Sequence, residues 1–183
     1  KQEQMIHQYL KEYPSVDEAS KQRNSYLMSL LMNAKAKEKD WESFKNYARQ
    51  LASDEDKMGI YNDLAWGMAE RAEDLQIAKA LSEEATLWAK KQVTLPVENA
   101  GGLRTRKQVI EDRNYTYSMF ADTYALILYH LKDYKTGLQY AKDAVDIRKR
   151  LDPEYNDRYA MLLEKTASAQ EVKKELEPIV KEG

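Results

Sequence analysis

The residues best suited to acid–base chemistry are few. His7 and His130 are the only imidazoles among 183 residues, and there is no cysteine. His7 has no second histidine four positions on, so the helical spacing that would clasp zinc is missing. His130 adjoins Tyr129, with Asp122 and Asp133 nearby in sequence, and reads as a surface or groove histidine. Thirty-one Asp and Glu supply carboxylates in quantity, but no spacing singles out a hydrolytic pair. Without Cys this segment has no thiol nucleophile, no thiolate zinc site and no disulfide. The expectation is a chain with no catalytic, cofactor-binding or metal-binding residues of its own, and so not an enzyme in this segment.

Two other features have the composition of binding sites. Gly101-Gly102-Leu103-Arg104-Thr105-Arg106-Lys107 sets two glycines before a helix start and places three cations around it, the ingredients of an anion site. It is not a P-loop, which needs Gly-Lys-Ser/Thr after a longer glycine spacing. The plain alternative is a flexible surface loop leading into a solvated basic helix end. The 13 Tyr and 3 Trp are the second feature, since aromatic side chains are enriched at recognition surfaces. Trp41, Trp66 and Trp88 fall on apolar faces, which favours core packing for them.

The elements that must carry these residues are helices. Ala, Leu, Lys, Glu, Gln and Met dominate, with only 6 Gly and 4 Pro, and runs of Val, Ile and Thr are missing. Apolar periodicity predicts helices over about 1–13, ended by Pro14, and from a Ser15/Glu18 capping box to about Lys37. Further helices are expected over Trp41–Leu51, Lys57–Arg71, Leu75–Gln92, Arg106–Leu131 and Tyr134–Leu151, the last closed by Asp152-Pro153. Two more, Asn156–Ser168 and Gln170–Glu177 before Pro178, make nine. Residues 93–105, with Pro96 and the glycine pair, form the one substantial loop. Short connections imply antiparallel neighbours.

Charge and hydropathy exclude whole classes of partner. A net charge of -2 provides no field to gather nucleic acid or anionic lipid. No stretch approaches the roughly 18 apolar residues of a membrane span, so no membrane insertion is expected. A chain that opens on Lys1 is expected to be a fragment or a processed form.

An internal repeat organises the middle of the chain. Leu64-Ala65-Trp66 corresponds to Tyr124-Ala125-Leu126, and in the following helix Ala78, Ser82 and Ala85 correspond to Gly137, Ala141 and Ala144. Small residues at that spacing let two antiparallel helices approach closely. A weaker unit aligns Asp40-Trp41 with Asp133-Tyr134, with Phe44, Ala48 and Leu51 at the small-residue sites. The run from Asp122 to Val145 resembles a tetratricopeptide repeat, carried by the Asp133-Tyr134 turn and by Gly137, Ala141 and Ala144. Where that family has a glycine in the first helix, Ala65 and Ala125 stand here, and its closing proline arrives late, at Pro153.

The resemblance implies one all-α domain of antiparallel helix hairpins, a tetratricopeptide-like superhelix. Its units would be about 59–92 and 114–153, with a degenerate unit at 24–52, a loop insert at 93–105 and capping helices at 156–177. It also implies a scaffold that binds a protein, a peptide or a covalently linked domain on a concave surface lined by first helices. By register the groove residues would be Asn62, Trp66, Ala69 and Glu70, then Asp122, Leu126, Tyr129 and His130. More narrowly, Asn62-Asp63-Leu64-Ala65-Trp66 and Asp122-Thr123-Tyr124-Ala125, with Leu128-Tyr129 after it, look like helical segments attached to bacterial thioredoxin-like proteins. That would make this segment the accessory part of a disulfide oxidoreductase in the bacterial periplasm or cell envelope, its catalytic domain lying outside the chain.

Overall fold

The computed structural model describes residues 2–97 and 104–182, and every regular element among them is a helix. The chain forms two compact units, Lys1–Ile60 and Tyr61–Gly183. The helices are α1 Gln2–Glu12, α2 Glu18–Lys37, α3 Trp41–Ala48, α4 Asp54–Glu70, α5 Leu75–Thr94, α6 Arg106–His130, α7 Tyr134–Ile147, α8 Pro153–Thr166 and α9 Ala169–Glu182. The expected all-α fold with about nine helices is what the described residues form.

In the first unit α2 packs on both α1 and α3. Ile6, Leu31, Met32, Phe44, Tyr47 and Ala48 are the buried side chains at that junction. A polar cluster ties the same three helices. The Tyr47 hydroxyl donates to Glu3 Oε1 at 2.6 Å, and Lys35 Nζ lies 3.0 Å from Glu3 Oε2. With the hydroxyl proton given to Glu3, His7 Nε2 is the donor in its 2.9 Å bond to Tyr47.

In the second unit α5 packs on α6, α6 on α7, α7 on α8 and α8 on α9, while α6 also meets α8 directly. The small residues of the repeat are the reason for the close approach. Ala65, Ala78, Ser82, Ala85, Ala125 and Ala144 have no exposed surface, and Ala141 has 1%. Gly137 marks the tightest point: a Cβ there would stand 2.9 Å from Leu162 Cδ2, 3.3 Å from Leu128 Cβ and 3.4 Å from the Ala125 carbonyl. One position of α7 is thus wedged between α6 and α8.

The turns share one device. After α2, α4, α6 and α7 a residue enters the left-handed region, Lys39 (φ 56), Ala72 (φ 51), Lys132 (φ 63) and Lys149 (φ 56). The next residue's N–H then reaches back to a carbonyl of the last helical turn, as in Asp40 N to Lys35 O and Asp133 N to Leu128 O, both 2.9 Å. This is the Schellman closure without its usual glycine. Asp40 and Asp133 then cap α3 and α7 by accepting from Ser43 N and Thr136 N, so the aligned Asp-aromatic pairs adopt the same turn.

Several boundaries differ from expectation. The cap of α2 is Asp17, which accepts from Ser20 N, while Ser20 Oγ returns the bond to the Asp17 N–H. Serine thus fills the place assigned to Glu18, and Ser15 instead accepts from Asn24 Nδ2. α4 begins at Asp54 and not at Lys57, while its cap falls within the Ser53-Asp54-Glu55-Asp56 run that reads as an N-cap in the sequence: Ser53 Oγ accepts from Asp56 N. α7 stops at Ile147, since Lys149 and Arg150 both turn to positive φ. Arg150 then reaches the Glu175 carbonyl at 3.2 Å. Pro153 consequently opens α8 at its first position, with Asp152 as cap, where a missing N–H costs nothing. α9 continues past Pro178 to Glu182, so the expected stop before proline does not hold, although proline inside a helix loses its backbone N–H and crowds the carbonyl four residues back.

Candidate binding pocket on alternate helices

Asp122 sits in the middle of α6 with 5% of its surface exposed. A buried carboxylate needs a partner, and Arg158 of α8 supplies it: Nε to Oδ1 and Nη2 to Oδ2 are both 3.0 Å. Two parallel bonds of this length are the planar fork that guanidinium makes with carboxylate. Burial pushes the Asp122 carboxyl above its ordinary value; Arg158 pulls against that, while Glu154 and Asp152 push further up. The other face of the arrangement is Trp66 of α4, whose ring centroid lies 5.4 Å from the guanidinium carbon of Arg158, within cation–π range.

These three helices wall a pocket of ≈ 240 Å³ lined by Asn62, Asp63 and Trp66 from α4, Met119, Asp122 and Thr123 from α6, and Glu154 and Tyr155 from α8. Its walls are unequal in character. Trp66 and Met119 are half-buried and Tyr155 is buried, giving an apolar side. Asp63 and Glu154 are exposed, so their carboxylates stand free in water at the rim. Asn62 is 5% exposed, and its Oδ1 is buried with no hydrogen-bond partner. An unmet acceptor of that kind costs roughly 1–3 kcal/mol.

Arginine–tyrosine stacking braces the α8 side. Arg148, just after α7, lies 3.7 Å from the Tyr115 ring centroid and 4.8 Å from that of Tyr155, and donates to the Tyr155 hydroxyl at 3.0 Å. Tyr155 thereby presents a fixed ring to the pocket. Burial raises its phenol above the ordinary value, with Arg148 opposing.

No family model matches the chain, no curated protein matches it, and no solved structure matches it.

Of the groove residues read from repeat register, the structure brings Asn62, Trp66 and Asp122 to this pocket. Ala69 is wholly covered and Leu126 is 7% exposed; both serve packing. Glu70 is exposed at the end of α4. Tyr129 and His130 lie at the end of α6 with ring centroids 5.9 Å apart, and Tyr129 also contacts Tyr134 at 5.6 Å. They form an aromatic cluster at the α6–α7 turn, outside the pocket lining.

Sequence register missed Asp63, Met119, Thr123, Glu154, Tyr155 and Arg158. The α8 contribution had a signal. The Tyr124-Ala125 pair of α6 recurs as Tyr159-Ala160 in α8, a likeness between the two helices that could have drawn attention to α8.

The glycine-loop reading falls partly outside the described residues, Gly101 and Gly102 among them. At the start of α6, Arg104 lies 3.1 Å from Asp112 and Lys107 3.7 Å from Glu111, and Arg106 is exposed. Two of the three cations there face carboxylates of α6. Among the described residues no three His, Asp or Glu side chains are placed to hold a metal ion, and no helix is long and apolar enough to cross a membrane.

Proposed function

We propose that the chain is a protein-interaction scaffold of the tetratricopeptide kind, which holds an extended segment of a partner protein against α4, α6 and α8 of its second unit. One observation carries this reading: side chains from three helices that are not consecutive in the chain converge on one pocket. Stacked hairpins put their first helices on a shared inner face, so a surface built from every second helix is where such a protein takes its ligand. An apolar centre of Trp66 and Met119 with a rim of Asp63 and Glu154 has the make-up of a recognition surface.

The test compares Trp66→Ala with Leu87→Ala, an exposed leucine of α5, against peptides selected from a displayed random library for binding the intact chain. Trp66→Ala is expected to weaken capture about tenfold or more while helical circular dichroism is retained. Leu87→Ala is expected to leave it unchanged. Equal capture by the Trp66 variant and the parent would overturn the reading.

A further inference from the structure

The polar half of the pocket is built for a positively charged donor. Asp63 and Glu154 offer exposed carboxylates at the rim, while the buried Asn62 side chain on the wall has an acceptor oxygen with no partner. The cation already present, Arg158, is spent on Asp122 through both of its bonds, so it does not neutralise the rim. Trp66 and Tyr155 line the same pocket; each ring already meets an arginine, Arg158 and Arg148, and what these rings leave uncovered is apolar surface against which an alkyl stem can lie.

We infer that this pocket receives the side chain of a lysine in the partner segment, its ammonium reaching Asn62, Asp63 and Glu154 and its methylenes lying against Trp66 and Met119. Lysine is favoured over arginine on geometry. An ammonium points three donors in divergent directions, which suits separate acceptors from two helices, whereas guanidinium seeks a planar fork such as the one Asp122 already gives to Arg158. A volume of ≈ 240 Å³ holds a four-carbon stem with its ammonium and leaves no need to open the helices. The Asn62 oxygen on that wall is buried without a partner, and a small turn of its amide would present it to an arriving N–H, removing the cost of its burial. This deepens the scaffold reading and rests on it for the path of the segment.

The test uses the full chain and two small probes, Nα-acetyl-lysine N-methylamide and its norleucine counterpart, which keeps the stem and lacks the charge. Binding is read from the Trp66 indole resonance, assigned with Trp66→Phe. The lysine probe is expected to shift that resonance saturably, with the norleucine probe at least about tenfold weaker. Glu154→Gln with Asp63→Asn should weaken the lysine probe by a similar factor without moving the melting curve, since both carboxylates are exposed. n-Butylammonium, an amine without a peptide backbone, should compete with the lysine probe.

Equal binding of norleucine, or no saturable shift with lysine, overturns the inference. The scaffold reading fails separately. Selected peptides that need Trp66 yet bind as well after Lys→norleucine replacement leave the scaffold standing and overturn the lysine site. A saturable lysine probe, alongside peptides indifferent to Trp66→Ala, supports the ammonium site and removes the scaffold.

Discussion

At Asp122 a single side chain decides how much of the pocket survives substitution. The carboxylate and Arg158 are both largely buried, at 8% and 13% side-chain exposure, so removing one charge leaves the other without compensation. Asp122→Ala is expected to lower unfolding free energy by about 3 kcal/mol in urea titration. Asp122→Leu combined with Arg158→Met should recover most of that loss, because two apolar groups of similar size leave no orphaned charge. Additive losses in the double variant would show that the pair does not act as a unit. Nothing in the sequence marked this pair, since the two residues lie on separate helices. Asn62 and Trp66 were legible from repeat register, whereas Arg158 lies on a helix that the register did not include.

Helix packing makes opposite demands on two glycines, and they separate local propensity from tertiary fit. Gly59 lies in α4 with nothing within 4 Å of where its Cβ would stand, so Gly59→Ala is expected to stabilise by about 0.5–1 kcal/mol through helix propensity alone. Gly137→Ala gains the same propensity but drives a methyl against Leu162, which has no exposed surface into which to retreat. It is expected to destabilise by about 1 kcal/mol or more. Thermal denaturation of both variants checks the contrast, and a stabilised Gly137 variant would mean that α7 is not wedged between α6 and α8.

Small-residue spacing was the most informative sequence signal at this scale, because a missing side chain is itself a statement about distance. Caps were less legible. Ser20 does the work expected of Glu18, and Pro153 begins a helix where it was expected to end one. A proline fits both roles, and the choice is made by Lys149 and Arg150, whose positive φ answers to the contacts of Arg150 with Glu175 and Asp146.

Across the second unit as a whole, buried phenols set an alkaline limit. Burial raises Tyr117, Tyr124, Tyr155 and Tyr159 above the ordinary tyrosine value of 10.0. Tyr117 is raised further by donating to Asp143 at 2.5 Å. A group whose folded value is raised contributes stability that is complete below its unfolded value and is lost as pH climbs toward the folded one. Stability should therefore be level up to about pH 10 and then fall, by about 1.4 kcal/mol per pH unit for each such tyrosine. Urea midpoints measured from pH 8 to pH 11 check the onset, and phenolate absorbance should lag in the native protein and catch up on unfolding. A flat profile through pH 11 would contradict the burial of these hydroxyls.

The all-helical architecture was legible at this scale because propensity, periodicity and turn chemistry agreed along the chain. The division at Ile60 was not, since α4 runs across it as one continuous helix. The proposed function makes α4, α6 and α8 together the surface that holds a partner segment. Hydrogen–deuterium exchange of the intact chain, with and without a saturating selected peptide, tests it most directly. Added protection is predicted in residues 61–70 of α4, the middle of α6 around Met119–Thr123 and the start of α8. Protection confined to α5 and α7, or to the first unit, would contradict it.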